Sequence, residues 1–242
     1  GLRTSVNTNG AFLAGDAEQL VALGVDGVMV SVDGPPVIHD AQRRAPGSFD
    51  KAQAGIRALT EARARRGADR PYIKVTCTVT DANVPHLAET ASLFQDVAID
   101  EFTFQHLWYT DQRTADVQRD LFVRLFGQDT TYLQGFVVPI IPALDPAALR
   151  RETGRVRSLR LPFPVRFYPD LGEDDILAFY SCPQHRFRRH CFSRWLRLDI
   201  TPWGEVTPCL GLVVGDVRQR PLTEIWNSPP YRRFRRELAR RR

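Results

Sequence analysis

Val28-Met29-Val30-Ser31-Val32-Asp33-Gly34-Pro35-Pro36 is the stretch from which the fold is read. A β-rich run ends abruptly in Asp-Gly-Pro-Pro, where glycine supplies backbone freedom and proline fixes φ, so a strand must stop there in a turn. On the N-terminal side, Arg3 to Thr8 is extended by composition, and Ala17 to Leu23 carries apolar residues at helical spacing before Gly24. On the C-terminal side, Ser48 is the expected N-cap of an amphipathic helix from Phe49 to Arg66, Tyr72 to Thr80 alternates as a strand, and Asn83 to Phe94 reads as helix. Glu101 to Leu107 is again a strand, and a helix from Thr114 to Phe126 closes the series. Strands separated by helices of this length need crossover connections, so the sheet is parallel and its strands are expected to be buried on both faces. An α/β fold follows, either a β/α barrel or an open doubly wound sheet, with any ligand at the C-terminal strand ends. Those ends read Asn7-Thr8-Asn9-Gly10, Ser31-Val32-Asp33-Gly34, Thr76 to Thr80 and Gln105-His106, so one rim is polar and is the expected binding site.

The composition, 43% hydrophobic and 25% charged over 242 residues, excludes a disordered, collagenous or disulfide-built chain and suffices for one large core with a small one beside it. The net charge of +5 is concentrated: Tyr231 to Arg242 holds seven arginines and one Glu. That tail offers a sequence-independent attraction for nucleic acid, but Tyr231, Phe234 and Leu238 at helical spacing would dock it as a helix with its arginines outside, so nucleic acid is not an expected partner. No apolar run is long enough for a membrane helix. Four widely spaced cysteines, Cys77, Cys182, Cys191 and Cys209, and no signal stretch point to reduced thiols in the cytoplasm.

Residues 127 to 145 are apolar and punctuated by Gly and Pro, and they close the first of three expected stretches: a barrel over 1–145, a bridging region over 146–181 and a small C-terminal domain over 182–242. In the last of these, Cys191 and Cys209 flank two β-rich arms joined by Pro202-Trp203-Gly204-Glu205, a hairpin signal that would return both sulfurs to one place. Thiolates are soft ligands suited to iron–sulfur clusters or zinc, and Cys182 is a third donor at most. The alternative is a set of cysteines that merely fill a small core. His106, and the histidines His185 and His190, are either ligands or catalytic groups or, as is commoner beside apolar residues, structural.

The hairpin is followed by Gly215-Asp216-Val217, Leu222-Thr223-Glu224-Ile225-Trp226-Asn227-Ser228 and Tyr231-Arg232-Arg233-Phe234-Arg235. This order, with twelve residues between Cys191 and Gly204 and four between Gly204 and Cys209, resembles the start of the SPASM or twitch domain of radical S-adenosylmethionine (AdoMet) enzymes. Upstream, Thr8-Asn9-Gly10, Val30 to Pro35 with His39-Asp40 and Arg43, Gly47-Ser48-Phe49, and Thr78-Val79-Thr80 with Asn83 resemble that family's middle barrel strands.

The resemblance implies a partial (β/α)6 TIM-like barrel with a small α+β C-terminal domain, binding AdoMet, a 4Fe-4S cluster and an auxiliary iron–sulfur cluster. It implies an oxidoreductase or maturase that cleaves AdoMet reductively and takes a hydrogen atom from a peptide, protein or small molecule, with electrons from a donor such as a flavodoxin or ferredoxin. It further implies that Ser31 contacts AdoMet, that Asn9, Asp33, Thr78 and Gln105 line the rim, that Arg43 pairs with a carboxylate, and that Cys191, Cys209 and Cys182 serve the auxiliary cluster. The family's three-cysteine cluster motif and its glycine-rich motif are missing, so the expectation is a chain truncated at both ends that does not cleave AdoMet by itself. The alternative is a non-catalytic barrel-like module whose basic C-terminal helix holds a peptide or nucleic acid. A metal-independent aldolase-like barrel is disfavoured, because no Lys stands at a strand end and Lys74 lies inside its strand.

Overall fold

Five parallel strands, β1 (Ser5–Thr8), β2 (Gly27–Ser31), β3 (Tyr72–Val79), β4 (Glu101–His106) and β5 (Val165–Tyr168), pair in sequence order in the computed structural model, which describes residues 2–138, 144–182 and 192–240, excepting the side chains of 193 and 194. Sequential order with helical crossovers is the wall of a β/α barrel. The crossovers are α1 (Leu13–Ala22), α2 (Pro36–Arg43), α3 (Ser48–Arg65) and α4 (Leu87–Ser92), with α5 (Gln112–Phe126), α6 (Pro146–Ser158) and α7 (Glu173–Ser181) following. α1 lies against α3, where a Cβ on Gly55 would fall 2.7 Å from Leu13 Cβ, and Gly10 brings the preceding turn onto α3. It has φ +81°, and a Cβ there would fall 2.8 Å from the Ala52 backbone.

The strands are not buried on both faces. β3 alternates strictly: Ile73, Val75, Cys77 and Val79 are buried, whereas Lys74, Thr76 and Thr78 are half-buried. Val28 and Val30 of β2 and Phe102 and Phe104 of β4 continue the covered face, and a row of rings runs across it, Phe102 to Phe104 at 4.8 Å and Phe104 to Phe167 at 5.1 Å between centroids. The opposite face is lined mainly by polar side chains, among them Lys74, Thr76, Thr78, Glu101 and Gln105. Ser48 is also not the N-cap of α3. Asp40 performs the capping from α2, accepting the Gly47 and Phe49 N–H groups at 2.5 and 2.9 Å and the Ser48 hydroxyl at 2.9 Å, and these contacts, the Phe49 bond first, hold its carboxyl below the ordinary carboxylate range.

The chain divides into two units, residues 1–107 with 142–180, and 108–141 with 181–242. The division is thus interleaved, whereas three consecutive stretches were expected: β5, within the expected bridging region, completes the parallel sheet, and α5, expected to close the barrel series, belongs to the second unit. The second unit contains α5, the one-turn α8 (Ser193–Leu196), an antiparallel sheet of β6 (Asp199–Ile200), β7 (Glu205–Thr207) and β8 (Gly215–Asp216), and the helices α9 (Leu222–Trp226) and α10 (Pro229–Arg240). Its core comprises Phe122, Val206, Leu212, Val214, Ile225, Tyr231 and Phe234. The expected hairpin forms: the Gly204 N–H donates to Thr201 O and the Thr201 N–H to Glu205 O, both at 2.9 Å, with Gly204 at φ +83°. α10 docks through Tyr231, Phe234 and Leu238 as expected, but Arg235 is buried with them, contrary to the expectation that its arginines stay outside. Among the described residues no helix is long and apolar enough to cross a membrane.

Candidate functional site

Register carries the rim. Ser31 lies opposite Thr76 across β2 and β3, and Thr78 opposite Gln105 across β3 and β4, so these hydroxyl and amide groups share the open face toward the C-terminal strand ends. All four residues are half-buried. Asn9 stands apart. It is exposed just beyond β1, and its Oδ1 accepts the Ala11 N–H at 3.0 Å, closing its own turn.

Asp33 is buried at 3% exposure and fully engaged. Its Oδ2 meets Arg43 Nε at 2.7 Å, its Oδ1 accepts the Thr78 N–H at 3.1 Å, and its own N–H donates to His39 Nδ1 at 3.0 Å. Asn83, completely buried, donates from Nδ2 to Asp33 O and Thr78 O at 2.8 and 2.7 Å and accepts the Thr80 N–H at 2.8 Å. One amide therefore ties the loops after β2 and β3 together. An acceptor Nδ1 requires neutral His39, and burial agrees, pushing its pKa down. Asp33, expected at the rim, and Arg43, expected to pair with a carboxylate, thus hold each other, with the Arg43 side chain still one-third exposed.

The open face holds a second cluster that sequence reading missed. Glu101 Oε1 meets Lys74 Nζ at 2.8 Å and accepts the Thr103 hydroxyl at 2.8 Å, and its Oε2 meets Arg166 Nε at 3.0 Å. Burial raises the Glu101 pKa, but the Lys74 and Thr103 contacts outweigh it and hold the carboxyl below its usual range. The signal was present in the strict alternation of Lys74, Thr76 and Thr78, which marks a strand with a polar face.

His106, 1% exposed, shares a hydrogen bond with Tyr180 Oη at 2.9 Å among the Phe167 and Phe179 rings. Burial lowers its pKa to about 4, so it is a neutral, partnered core histidine at neutral pH. Cys77 is sealed in the covered face, and desolvation raises its thiol pKa well above the ordinary value.

The other described thiols differ from Cys77. Cys182 is exposed, and Cys209 is half-buried at the end of the hairpin, against the second unit's core. Cys191 lies outside the described residues, as do His185 and His190, so the expected closeness of Cys191 to Cys209 is not described. Among the described residues no group of three or more His, Cys, Asp or Glu is placed to hold a metal ion. In donor chemistry the three cysteines of the second unit fit an iron–sulfur cluster, since neither described one is locked in a dry interior as Cys77 is.

Residues 191–242 match the SPASM family, described as an iron-sulfur cluster-binding domain. Over 97% of its length the chain is 30% identical to the AdoMet-dependent heme synthase of Oleidesulfovibrio alaskensis, and over 93% it is 24% identical to the pre-heme d1 synthase of Dinoroseobacter shibae. The C-terminal stretch is thus SPASM-like, and along its length the chain is similar to enzymes named for AdoMet-dependent heme and pre-heme synthesis. It spans 54 to 58% of the length of these two relatives. Among solved structures, Streptococcus suis SuiB matches 95% of this chain with a TM-score of 0.61 at 13% identity, the chain covering 50% of SuiB. AdoMet-bound anSMEcpe matches 96% with a TM-score of 0.57 at 16% identity, the chain covering 58% of it. These likenesses establish the partial TIM-like barrel fold that the sequential parallel sheet displays.

Proposed function

We propose that this radical AdoMet chain belongs to an enzyme that acts on a heme precursor, a cyclic tetrapyrrole. The single observation that carries the reading is the match, along 93 to 97% of the chain, to relatives named for heme or pre-heme synthesis. A peptide substrate is the second reading, favoured by two neighbours whose structures hold peptides, SuiB with the precursor SuiA and anSMEcpe with the Kp18Cys peptide, at 14 and 16% identity. The tetrapyrrole reading comes first because it rests on sequence identity that is higher over the same length.

When bound, the iron–sulfur cluster supplies the electron for reductive cleavage of AdoMet, the step that enables hydrogen-atom abstraction from the substrate. Ser31, Thr78 and Gln105 offer hydrogen bonds to AdoMet from the open face, and Asp33 and Asn83 fix the loops after β2 and β3, beside Ser31 and Thr78. Arg43, held by Asp33 through Nε, would offer its remaining N–H groups to a carboxylate of the bound ligand. Cys182, Cys191 and Cys209 would be the cysteines to hold the auxiliary cluster.

The test uses the full-length gene product, reconstituted anaerobically with iron and sulfide and given reductant and AdoMet. Formation of 5′-deoxyadenosine that rises with an added tetrapyrrole and not with peptides is the expected result. Stimulation by peptide alone overturns the tetrapyrrole reading. In parallel, Ser31→Ala should weaken AdoMet binding to the described chain in calorimetry by about fivefold to tenfold, the worth of one lost hydrogen bond.

A further inference from the structure

Charge is distributed unequally along the chain. Residues 1–180 hold 19 cations and 23 carboxylates, whereas residues 181–242 hold 14 arginines and five carboxylates. Part of that excess converges on one hollow of the second unit, a pocket of about 440 Å³ lined by Trp195, Asn227, Arg232, Arg235, Arg236 and Ala239.

Arg235 and Arg236 stand three and four residues beyond Arg232 on α10, so both are its neighbours on the helix surface, and like charges so placed repel. Arg232 is in the first turn, where the positive end of the helix dipole adds to the repulsion. Arg235 is 6% exposed, its guanidinium lying 4.6, 4.5 and 4.0 Å from the ring centroids of Trp195, Trp226 and Tyr231, so its charge is held among faces that screen poorly. Arg232 and Arg236 are exposed, and among the described residues neither has a carboxylate within 4 Å; Glu237, the carboxylate on the same helix, pairs with Arg240. Residues 183–191 and 241–242 contain five arginines and two histidines but no carboxylate, so the sequence there supplies no compensating charge. A helix that carries this much uncompensated repulsion beside a half-exposed indole is stabilised by an oxyanion borne on a flat ring.

We infer that the Trp195–Arg232–Arg236 pocket binds the carboxylate side chains of a tetrapyrrole, with the macrocycle edge on the Trp195 indole and the carboxylates on Arg232 and Arg236. The oxyanion site stands on the charges and the pocket, and the identity of its ligand rests on the tetrapyrrole reading above.

The test titrates protoporphyrin IX, a cationic tetra(N-methylpyridyl)porphyrin and AMP into the full chain and into an Arg232→Gln/Arg236→Gln variant, following porphyrin absorbance and tryptophan fluorescence, with circular dichroism to establish that the variant is folded. Protoporphyrin should bind the parent chain in a salt-sensitive manner and the variant about tenfold or more weakly, the worth of at least one charged hydrogen bond, and the cationic porphyrin should not compete. Equal protoporphyrin binding to parent and variant overturns the site while leaving the tetrapyrrole reading standing. If AMP binds the parent, is lost in the variant and protoporphyrin binds neither, the oxyanion site stands and the tetrapyrrole ligand is overturned. Binding of none of the probes overturns the proposal outright.

Discussion

In the first unit the charged groups that face the sheet are consumed by one another. Asp33 has Arg43, Glu101 has Lys74 and Arg166, and Asp100 has Arg63 at 2.5 Å, each carboxylate also taking hydrogen bonds from neighbouring groups. In the second unit's C-terminal stretch the arginines outnumber the carboxylates, and among the described residues the exposed Arg232 and Arg236 on α10 have no carboxylate within 4 Å. The contrast teaches that the same residue type is a fastener in one region and an unspent charge in the other. What separates the two is the carboxylate within reach, not the arginine.

The contrast can be broken at its strongest point. Asp33→Ala strips a buried carboxylate from Arg43 and from the Thr78 N–H, and should cost about 4 kcal/mol, read as a lower urea midpoint at constant slope. A loss below about 1 kcal/mol would show that the first unit does not depend on its internal pairs.

A smaller effect tests burial without charge. His106 titrates near 4 in the folded chain against 6.5 unfolded, so between these values the unfolded chain binds more protons and stability rises with pH. The histidine's contribution is complete above pH 6.5 and is lost as pH falls toward 4, to the extent of about 3 kcal/mol. His106→Phe should flatten that part of the urea-midpoint profile, and an unchanged slope in the variant would assign the acid sensitivity to other groups, with His39, whose pKa is also lowered by burial, the first to examine.

Asn83→Ala should cost about 2 kcal/mol, since it leaves the Thr80 N–H and the Asp33 and Thr78 carbonyls without this partner. Combined with Asp33→Ala it should cost less than the sum, because both act on the loops after β2 and β3. At the small end, Arg232→Gln should change stability by no more than about 0.5 kcal/mol, and in the stabilising direction, since it relieves like-charge repulsion on α10. A clear destabilisation there would mean that Arg232 is a fastener after all and would erase the contrast.

Much of this was legible in the residues. The alternation of strand and helix, the polar strand ends and the Pro202 to Glu205 turn are local signals, and local chemistry decided them. The open face was misread because a parallel sheet was assumed to be covered twice, although Lys74, Thr76 and Thr78 recur every second residue. β5 escaped because four residues between prolines and a turn carry too little pattern to stand out, and its place in the sheet depends on partners distant in sequence. Arg235 was counted as a solvated charge because helical spacing shows which side of a helix is apolar, not that three rings will close over a guanidinium at its border. The Asp40 cap was missed for a related reason: Ser48 is the obvious local candidate, and the group that performs the work arrives from the preceding helix.

The interleaved course of the chain has a consequence for biosynthesis. β4 is finished early, yet its neighbour β5 follows only after the excursion through residues 108–141 and then α6, so a nascent chain must keep the β4 edge unmatched while roughly 60 more residues are added, a delay set by loop closure and not by local preference. That exposed edge is where a ribosome-bound intermediate would recruit a chaperone or pair with another copy.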